Sequence, residues 1–351
     1  VPTNSKFMLA SDNASGVHPA VLERILGVND GHVAGYGVDR YTQEAEQCFK
    51  THFGADASAF MVCTGTAANV LALQALTSSV DAVHCTDCAH LLVDECGAPE
   101  RMIGCKVVGA RSDAGKINLK ALADAVAFQS GIVHRNRSTV VSISQATERG
   151  SVYTPDEVRA IADFAHANGM RVHMDGARLA NAAAAFGARL EEMTRSLGVD
   201  ILSFGGTKNG LMMAEAIVVF DPALAALLPS IRKQGMQLAS KQRFLAAQFL
   251  AYLQDDLWFE NARHANRMAA RLAKRLSDIP KVRVTSAVEA NMVFATLPPA
   301  WIAPLQQHAY FHVWDASESE VRFVTSFDTA QQDIDEFTGE IARLATQELP
   351  Q

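Results

Sequence analysis

Thr139-Val140-Val141-Ser142-Ile143-Ser144, then Thr154-Pro155-Asp156-Glu157, then Arg171-Val172-His173-Met174 are the three pieces of sequence that decide the fold. The first is a β-branched run suited to a pleated, buried surface. In the second, a threonine N-cap, a first-turn proline and a glutamate three residues on form a capping box. The helix so opened extends to about Asn168, and Gly169 closes it before the third piece begins a second strand. Strand, helix, strand at this length is a βαβ unit and demands a parallel sheet. Ligands of such sheets bind beyond the carboxyl ends of the strands. Asp175-Gly176-Ala177-Arg178 occupies one such end.

Downstream, Asp200-Ile201-Leu202-Ser203-Phe204 reads as another buried strand, cut short by Gly205-Gly206-Thr207-Lys208-Asn209-Gly210. Glycines there let the backbone turn or approach a ligand. A lysine amine desolvated at a strand exit loses basicity and becomes a carbonyl nucleophile. The plain alternative is a solvated lysine leaving the core. Upstream, residues 59–63 form a strand that Thr64-Gly65-Thr66 breaks, and 67–76 form a helix. Gly65 and Thr66 therefore stand at a helix N-terminus, where free N–H groups and the helix dipole favour an anion. The Walker lysine and the GxGxxG spacing are absent, so a small phosphate group suits this site better than a nucleotide. Thr66 acting only as a cap is the structural alternative.

Around this centre, helices are expected at 19–26, 41–53, 118–128 and 236–253, the last holding Lys241, and strands at 82–85, 106–108 and 216–220. Residues 1–20 read as an extended arm and 21–255 as a large domain. From 256 the pattern becomes α+β: a helix at 259–276, strands at 282–285, 292–297, 311–314 and 321–325, and a last helix at 331–348.

The chain has 351 residues, enough for two cores. Its formal net charge of −7 points to neither nucleic acid nor an anionic membrane as partner. No apolar run reaches transmembrane length, and Val1-Pro2-Thr3-Asn4-Ser5-Lys6 lacks the hydrophobic segment of a signal peptide, so a cytoplasmic location is expected. The six cysteines are then expected as free thiols. Cys85-Thr86-Asp87-Cys88, flanked by His84 and His90, has no second Cys/His pair at zinc spacing, and no metal is expected.

Gly65-Thr66, His90, Asp175, Arg178 and Lys208 all fall at strand ends or at the helix start. A phosphate cradle, a flat ring for stacking, a carboxylate and a nucleophilic lysine together suit pyridoxal phosphate, whose ring nitrogen takes an acidic partner. Singly, each has a dull explanation, as a cap, a surface charge or a core histidine.

At this point the sequence resembles the threonine aldolase family of fold-type I pyridoxal-phosphate enzymes. The resemblance rests on Ala10-Ser11-Asp12-Asn13, Gly65-Thr66-Ala67-Ala68-Asn69, Ala89-His90, Asp94-Glu95-Cys96-Gly97-Ala98-Pro99-Glu100, His173-Met174-Asp175-Gly176-Ala177-Arg178, Gly205-Gly206-Thr207-Lys208-Asn209-Gly210 and Ala239-Ser240-Lys241. Arg322 extends it into the C-terminal region, and the chain is similar to the bacterial low-specificity L-threonine aldolase and phenylserine aldolase branch. The resemblance implies an α/β fold, with a large domain on a mostly parallel seven-stranded sheet and a smaller α+β C-terminal domain. It implies Lys208 as the covalent anchor, Asp175 on the ring nitrogen, Gly65 and Thr66 on the phosphate, and His90 stacked on the ring. Ser11, Arg178 and Arg322 would hold the substrate carboxylate. Lys241, or Lys233 before it, would reach a neighbouring subunit's phosphate in a tetramer of catalytic dimers. The glycines beside Lys208 would make room for the bound ring.

Two departures stand out. Many family members carry a second histidine after the middle strand, where this chain reads Gln145-Ala146-Thr147-Glu148-Arg149-Gly150, and Glu148 takes that place. In Tyr36-Gly37-Val38-Asp39-Arg40 a valine stands where an acidic residue is common, leaving room for an apolar substituent. The activity implied is retro-aldol cleavage of L-threonine, L-allo-threonine or L-phenylserine to glycine and an aldehyde. The base for the β-hydroxyl stays open among His90, Glu148 and a water. The alternatives are another pyridoxal-phosphate lyase or an aminotransferase on the same fold, a non-catalytic protein that keeps the fold, and a nicotinamide dehydrogenase, which the missing glycine fingerprint disfavours.

Overall fold

A computed structural model describes residues 7–347. Residues 1–6 of the expected arm and Glu348 of the expected last helix lie outside the described residues. Along the chain the strands are β1 (Ser58–Val62), β2 (Asp81–Thr86), β3 (Lys106–Ala110), the short pair β4 (Ser112–Asp113) and β5 (Lys116–Ile117), β6 (Arg137–Ser144), β7 (Arg171–Gly176), β8 (Ile201–Gly205) and β9 (Glu215–Val219). After them come β10 (Arg283–Val284), β11 (Met292–Thr296), β12 (His312–Asp315) and β13 (Glu320–Val324).

The capping box predicted at Thr154 is present. Its hydroxyl accepts from Glu157 N at 3.2 Å, and Glu157 Oε2 accepts from Thr154 N at 2.7 Å. The helix Pro155–Ala167 that follows returns the chain to β7, parallel to β6. The large sheet has seven strands in the order β1-β9-β8-β7-β6-β2-β3. It is mostly parallel, with β9 antiparallel to both β1 and β8. Phe204 at the end of β8 packs on Phe53, ring centroids 5.1 Å apart, and Phe49 packs on Phe249 at 4.9 Å. That aromatic layer holds down the strand that leads to Lys208.

A second, antiparallel sheet has the order β10-β11-β13-β12 and its own core, including Leu272, Val293, Trp301, Phe311, Phe323 and Phe337. Leu9 of the N-terminal arm belongs to that core. Leu9 N donates to Tyr310 O, and Leu9 O accepts from Val324 N, both at 2.8 Å. The arm is thus stitched to the C-terminal sheet.

Three local expectations need correction. The helix expected at 236–253 is shorter, Arg243–Leu253, because Met236 adopts a left-handed φ of 61° and breaks it from the helix Leu228–Gln234. Lys241 therefore lies in the preceding turn. The helices Leu179–Phe186 and Pro299–His308 have no counterpart in the sequence reading. The second holds Pro299 in its first turn and Pro304 inside, a composition that reads as loop. The cap of the helix Gly65–Leu76 is Thr64, not Thr66, with its hydroxyl accepting from Ala67 N at 3.2 Å.

Candidate active site

The parallel register sets Ser144 of β6 beside Asp175 of β7, and Asp175 beside Ser203 of β8. The carboxyl ends of these neighbouring strands bring Glu148, Asp175 and Lys208 close enough to act on one another's charge. Asp175 is buried, with Oδ2 accepting from Asn69 Nδ2 at 2.8 Å and Oδ1 from Ala177 N at 3.0 Å. Burial opposes its ionisation, but Lys208, the Asn69 amide and the Ala177 N–H outweigh that cost and hold the carboxyl below its usual range. Beneath it His173, fully buried, is held between the hydroxyls of Ser142 at 2.8 Å and Ser203 at 3.0 Å. Burial keeps that ring neutral.

Lys208 follows β8 in the short 3-10 turn Thr207–Asn209. Burial and the Arg178 charge lower its pKa, against the opposing pull of Asp12, Asp175 and Glu215. Such an amine is partly neutral at lower pH than a free lysine, as a nucleophile requires. The two glycines before it do not open space for a ligand. A Cβ on Gly205 would lie 2.5 Å from Ala177 O, and one on Gly206 would strike Leu211. They let β8 and the lysine turn press against the Asp175–Arg178 segment.

His90 opens the four-residue helix His90–Val93. Its Nδ1 donates to Glu95 Oε1 at 3.0 Å, and Asn69 Nδ2 donates to the same oxygen at 2.8 Å. The Glu95 hydrogen bond raises the His90 pKa, outweighing burial, and Asp175 adds to the rise. Glu148 Oε1 accepts from His90 N at 2.9 Å and from the Ser144 hydroxyl at 2.6 Å. Its Oε2 is buried with no partner among the described residues. Burial raises the Glu148 pKa against those two donors, and Asp175 raises it further.

Ser11, Arg178 and Arg322 gather round a residue the sequence reading left without a role. Asp12 receives Arg178 through both Nε and Nη2 at 2.8 Å, Asn291 Nδ2 at 3.0 Å and the Ser11 hydroxyl at 3.3 Å. Arg322 lies over Trp314, its guanidinium carbon 5.0 Å from the ring centroid. Its Nε is buried and unpartnered among the described residues, and burial and the Arg178 charge lower its pKa. Arg178 thus takes Asp12 through two nitrogens, while Arg322 feels only the charge of that carboxylate, an incompletely paired guanidinium suited to a further carboxylate.

Gly65 and Thr66 occupy the first turn of their helix, and a Cβ on Gly65 would meet nothing within 4 Å. Lys241 is exposed, and among the described residues no hydrogen bond or ion pair joins it to this group. Lys233 lies 5.3 Å from the Tyr36 ring centroid. The thiols at 85 and 88 do not converge on a metal with the histidines. Cys88 contacts Thr86 and Ser112, and His84 Nε2 bonds the Ser138 hydroxyl at 2.8 Å. Among the described residues the ligand-type atoms within 4.8 Å of one another belong to His90, Glu95 and Asp175, already joined by Asn69. All six cysteines are free thiols.

Sequence reasoning quoted Asp12, Asn69 and Glu95 within motifs but gave them no function. Asn69 had a signal: an amide interrupting the apolar run 67–73, one turn after Gly65. Asn291 and Glu215 had none, because what they bind lies far away in sequence or across a strand pair.

These residues fit pyridoxal phosphate. A buried, ionised Asp175 suits its ring nitrogen, the open N-terminus at Gly65 suits its phosphate, and a desolvated Lys208 suits its aldehyde. The family model described as Beta-eliminating lyase matches residues 8–298. The chain is 41% identical over 340 residues to a low specificity L-threonine aldolase of Pseudomonas aeruginosa, covering 97% of this chain and 98% of that one. It superimposes on the threonine aldolase of Leishmania major with a TM-score of 0.92 at 28% identity, covering 97% of this chain and 99% of that one. The Oryza sativa TDC structure with PLP and tryptamine shares the fold, with a TM-score of 0.77 at 14% identity over 98% of this chain and 84% of that one. By fold, site and sequence the chain belongs to the threonine aldolase family of beta-eliminating lyases, and it is a pyridoxal-phosphate-dependent lyase of fold type I.

Proposed function

We propose that this lyase cleaves L-threonine, L-allo-threonine and L-phenylserine between Cα and Cβ, releasing glycine and an aldehyde. The observation that carries the reading is the paired arrangement at one crevice: a desolvated Lys208 beside an ionised Asp175, with Arg178 and Arg322 at the other side. The cofactor, when bound, supplies an electron sink for the pair released from the breaking bond. Lys208 would anchor it, Asp175 would keep its ring nitrogen protonated, Gly65 and Thr66 would receive its phosphate, and His90 would stack on its ring. Arg322, with the free side of Arg178 and the Ser11 hydroxyl, receives the substrate carboxylate. That grip would fix the orientation of the substrate's Cα, and so which of its bonds is broken.

Glu148 takes the β-hydroxyl proton through Oε2, the oxygen that no donor among the described residues occupies. Ser144 and the His90 backbone hold its other oxygen in place. His90, tied to Glu95 through Nδ1, keeps its other ring nitrogen free for the same hydroxyl. Val38, exposed in the loop before the helix Arg40–Phe53, makes an apolar β-substituent such as phenyl acceptable. The assembly proposed is a homotetramer of dimers in the cytoplasm, with Lys241 or Lys233 turned to a neighbour's phosphate. The proposed units are an arm to residue 20, a large domain at 21–255 and a small one at 256–351.

Lys208→Ala is expected to lose both the visible absorbance of the bound cofactor and the release of glycine with aldehyde from all three substrates. A variant that cleaves at the wild-type rate overturns the assignment. Pyruvate or a keto acid in place of glycine would mark the elimination or transamination alternative.

A further inference from the structure

Glu215 is a buried carboxylate for which the chemistry above has no use. It opens β9, where the register pairs it with Gly205 of β8 on one side and Val62 of β1 on the other. Strand starts in the middle of a sheet are poor places for a carboxylate, because burial disfavours its charge. Here the group is supplied with donors from a single stretch of chain. Oε2 accepts from Gly206 N at 3.0 Å, and the adjoining Thr207 also favours its charged form. Thr207 Oγ1 in turn accepts from Ala214 N at 3.2 Å, which closes the loop 206–214 on itself. The next residue is Lys208.

We propose that Glu215 is the positioning residue of Lys208, fixing the turn that carries the amine and setting how readily that amine gives up its proton. The proposal rests on Lys208 being the cofactor's anchor. Among the described residues, Lys208 attracts its charge, and Tyr252, from the helix Arg243–Leu253, is kept neutral first by burial and then by that charge. Gly205 and Val62, opposite it on the neighbouring strands, bring no charge. Burial is the largest influence on Glu215 and raises its pKa to about 7, although Thr207, Gly206 and Lys208 all act to lower it. The group therefore changes charge near neutrality, one residue pairing away from the lysine turn. When ionised it favours the ammonium form of Lys208, together with Asp12 and Asp175 and against burial and the Arg178 charge; when protonated it withdraws that support.

The test is the rate of pyridoxal-phosphate uptake by apoenzyme, followed through its visible absorbance across a pH series. Uptake needs the neutral amine, so the midpoint of the rate profile reports the proton on Lys208. Glu215→Gln keeps an acceptor oxygen and the volume but removes the charge. Its midpoint is expected to move to lower pH by on the order of one unit, the effect of a nearby opposite charge. Thr207→Val weakens the same carboxylate from its other side and is expected to shift the midpoint in the same direction by less. It keeps the question answerable if the glutamine variant does not fold. Profiles that superimpose on wild type for every folded variant overturn the proposal. Lys208→Ala is the control: if it takes up cofactor with the same absorbance, the anchor reading fails first, whereas loss of that signal with unshifted profiles fails Glu215 alone.

Discussion

Glu148 is the base of the reaction proposed above. A carboxylate is a useful base only if its pKa approaches the working pH, and burial supplies that rise here. Glu148→Gln keeps the contacts with Ser144 and His90 N but cannot take a proton. It is expected to lower kcat/KM for threonine cleavage by about 10²-fold, a typical share for a positioned base. The wild-type acid limb, where rate falls as Glu148 becomes protonated, should vanish in the variant. An unchanged rate with an unchanged acid limb would move the base to His90. Folding linkage at the same cluster has a definite sign. Asp12 and Asp175 both lie below their unfolded value of 3.8, so their stabilisation is present above that pH and is lost as pH falls below it. His90 lies above 6.5, so its contribution is present below that pH and is lost as pH rises through its folded value.

At the scale of the element, the end of β8 is the piece the site depends on. Phe204 is anchored in the aromatic layer, Gly205 lies against Ala177, and Gly206 is fastened by Glu215. Gly205→Ala forces a Cβ into the Ala177 backbone, so the strand or the Asp175 turn has to move. The expected loss is about 1–3 kcal/mol, a usual range for overpacking. It should be read as a lower urea midpoint together with weaker cofactor retention. A midpoint equal to wild type would mean that the two segments can separate freely. Gly65 makes the opposite case: with open space before it, alanine there should fold normally and affect only cofactor retention.

Across the whole molecule, Asp12 is where three parts of the chain meet. It lies on the N-terminal arm, grips Arg178 of the large sheet's crevice, and takes Asn291 from the segment leading into β11. Arg149 makes a second tie from the Glu148 turn. It pairs with Glu320 of β13 at 2.9 Å and lies 5.7 Å from the centroid of Trp314, the ring that also carries Arg322. The groups proposed to receive the substrate carboxylate and β-hydroxyl therefore share one set of contacts. Asp12→Ala leaves Arg178 uncompensated beside Arg322, at a cost of about 3–5 kcal/mol for a broken buried pair. Urea unfolding should register that loss, and the KM for threonine should rise with it. A stability change below about 1 kcal/mol would show that Arg178 finds another partner at no cost.

Much of this was legible in the chain itself, for identifiable reasons. The capping box at Thr154, the β-branched strand before it and the glycine after the helix are local grammar, readable because their hydrogen bonds close within a few residues. The same holds for the placement of Asp175 and Lys208 at strand ends, since strand ends follow from where apolar runs stop. What sequence could not supply was partnership across distance. Gly205 and Gly206 read as space for a ligand, yet they serve a contact with Ala177 and Leu211 that only the packed fold creates. Arg178 read as an open clamp, yet Asp12, 166 residues away, fills most of its fork. Glu215 gave no signal, because a glutamate at the start of a strand gains meaning only when antiparallel pairing lays it under the lysine turn. The sequence by itself determined the βαβ unit, most strands of the large sheet and which residues could do the chemistry. The tertiary structure alone decided which charges share a partner, because the burial, charge pairing and hydrogen bonds that shift the pKa values of Asp12, Asp175 and Lys208 arise from segments brought together by folding.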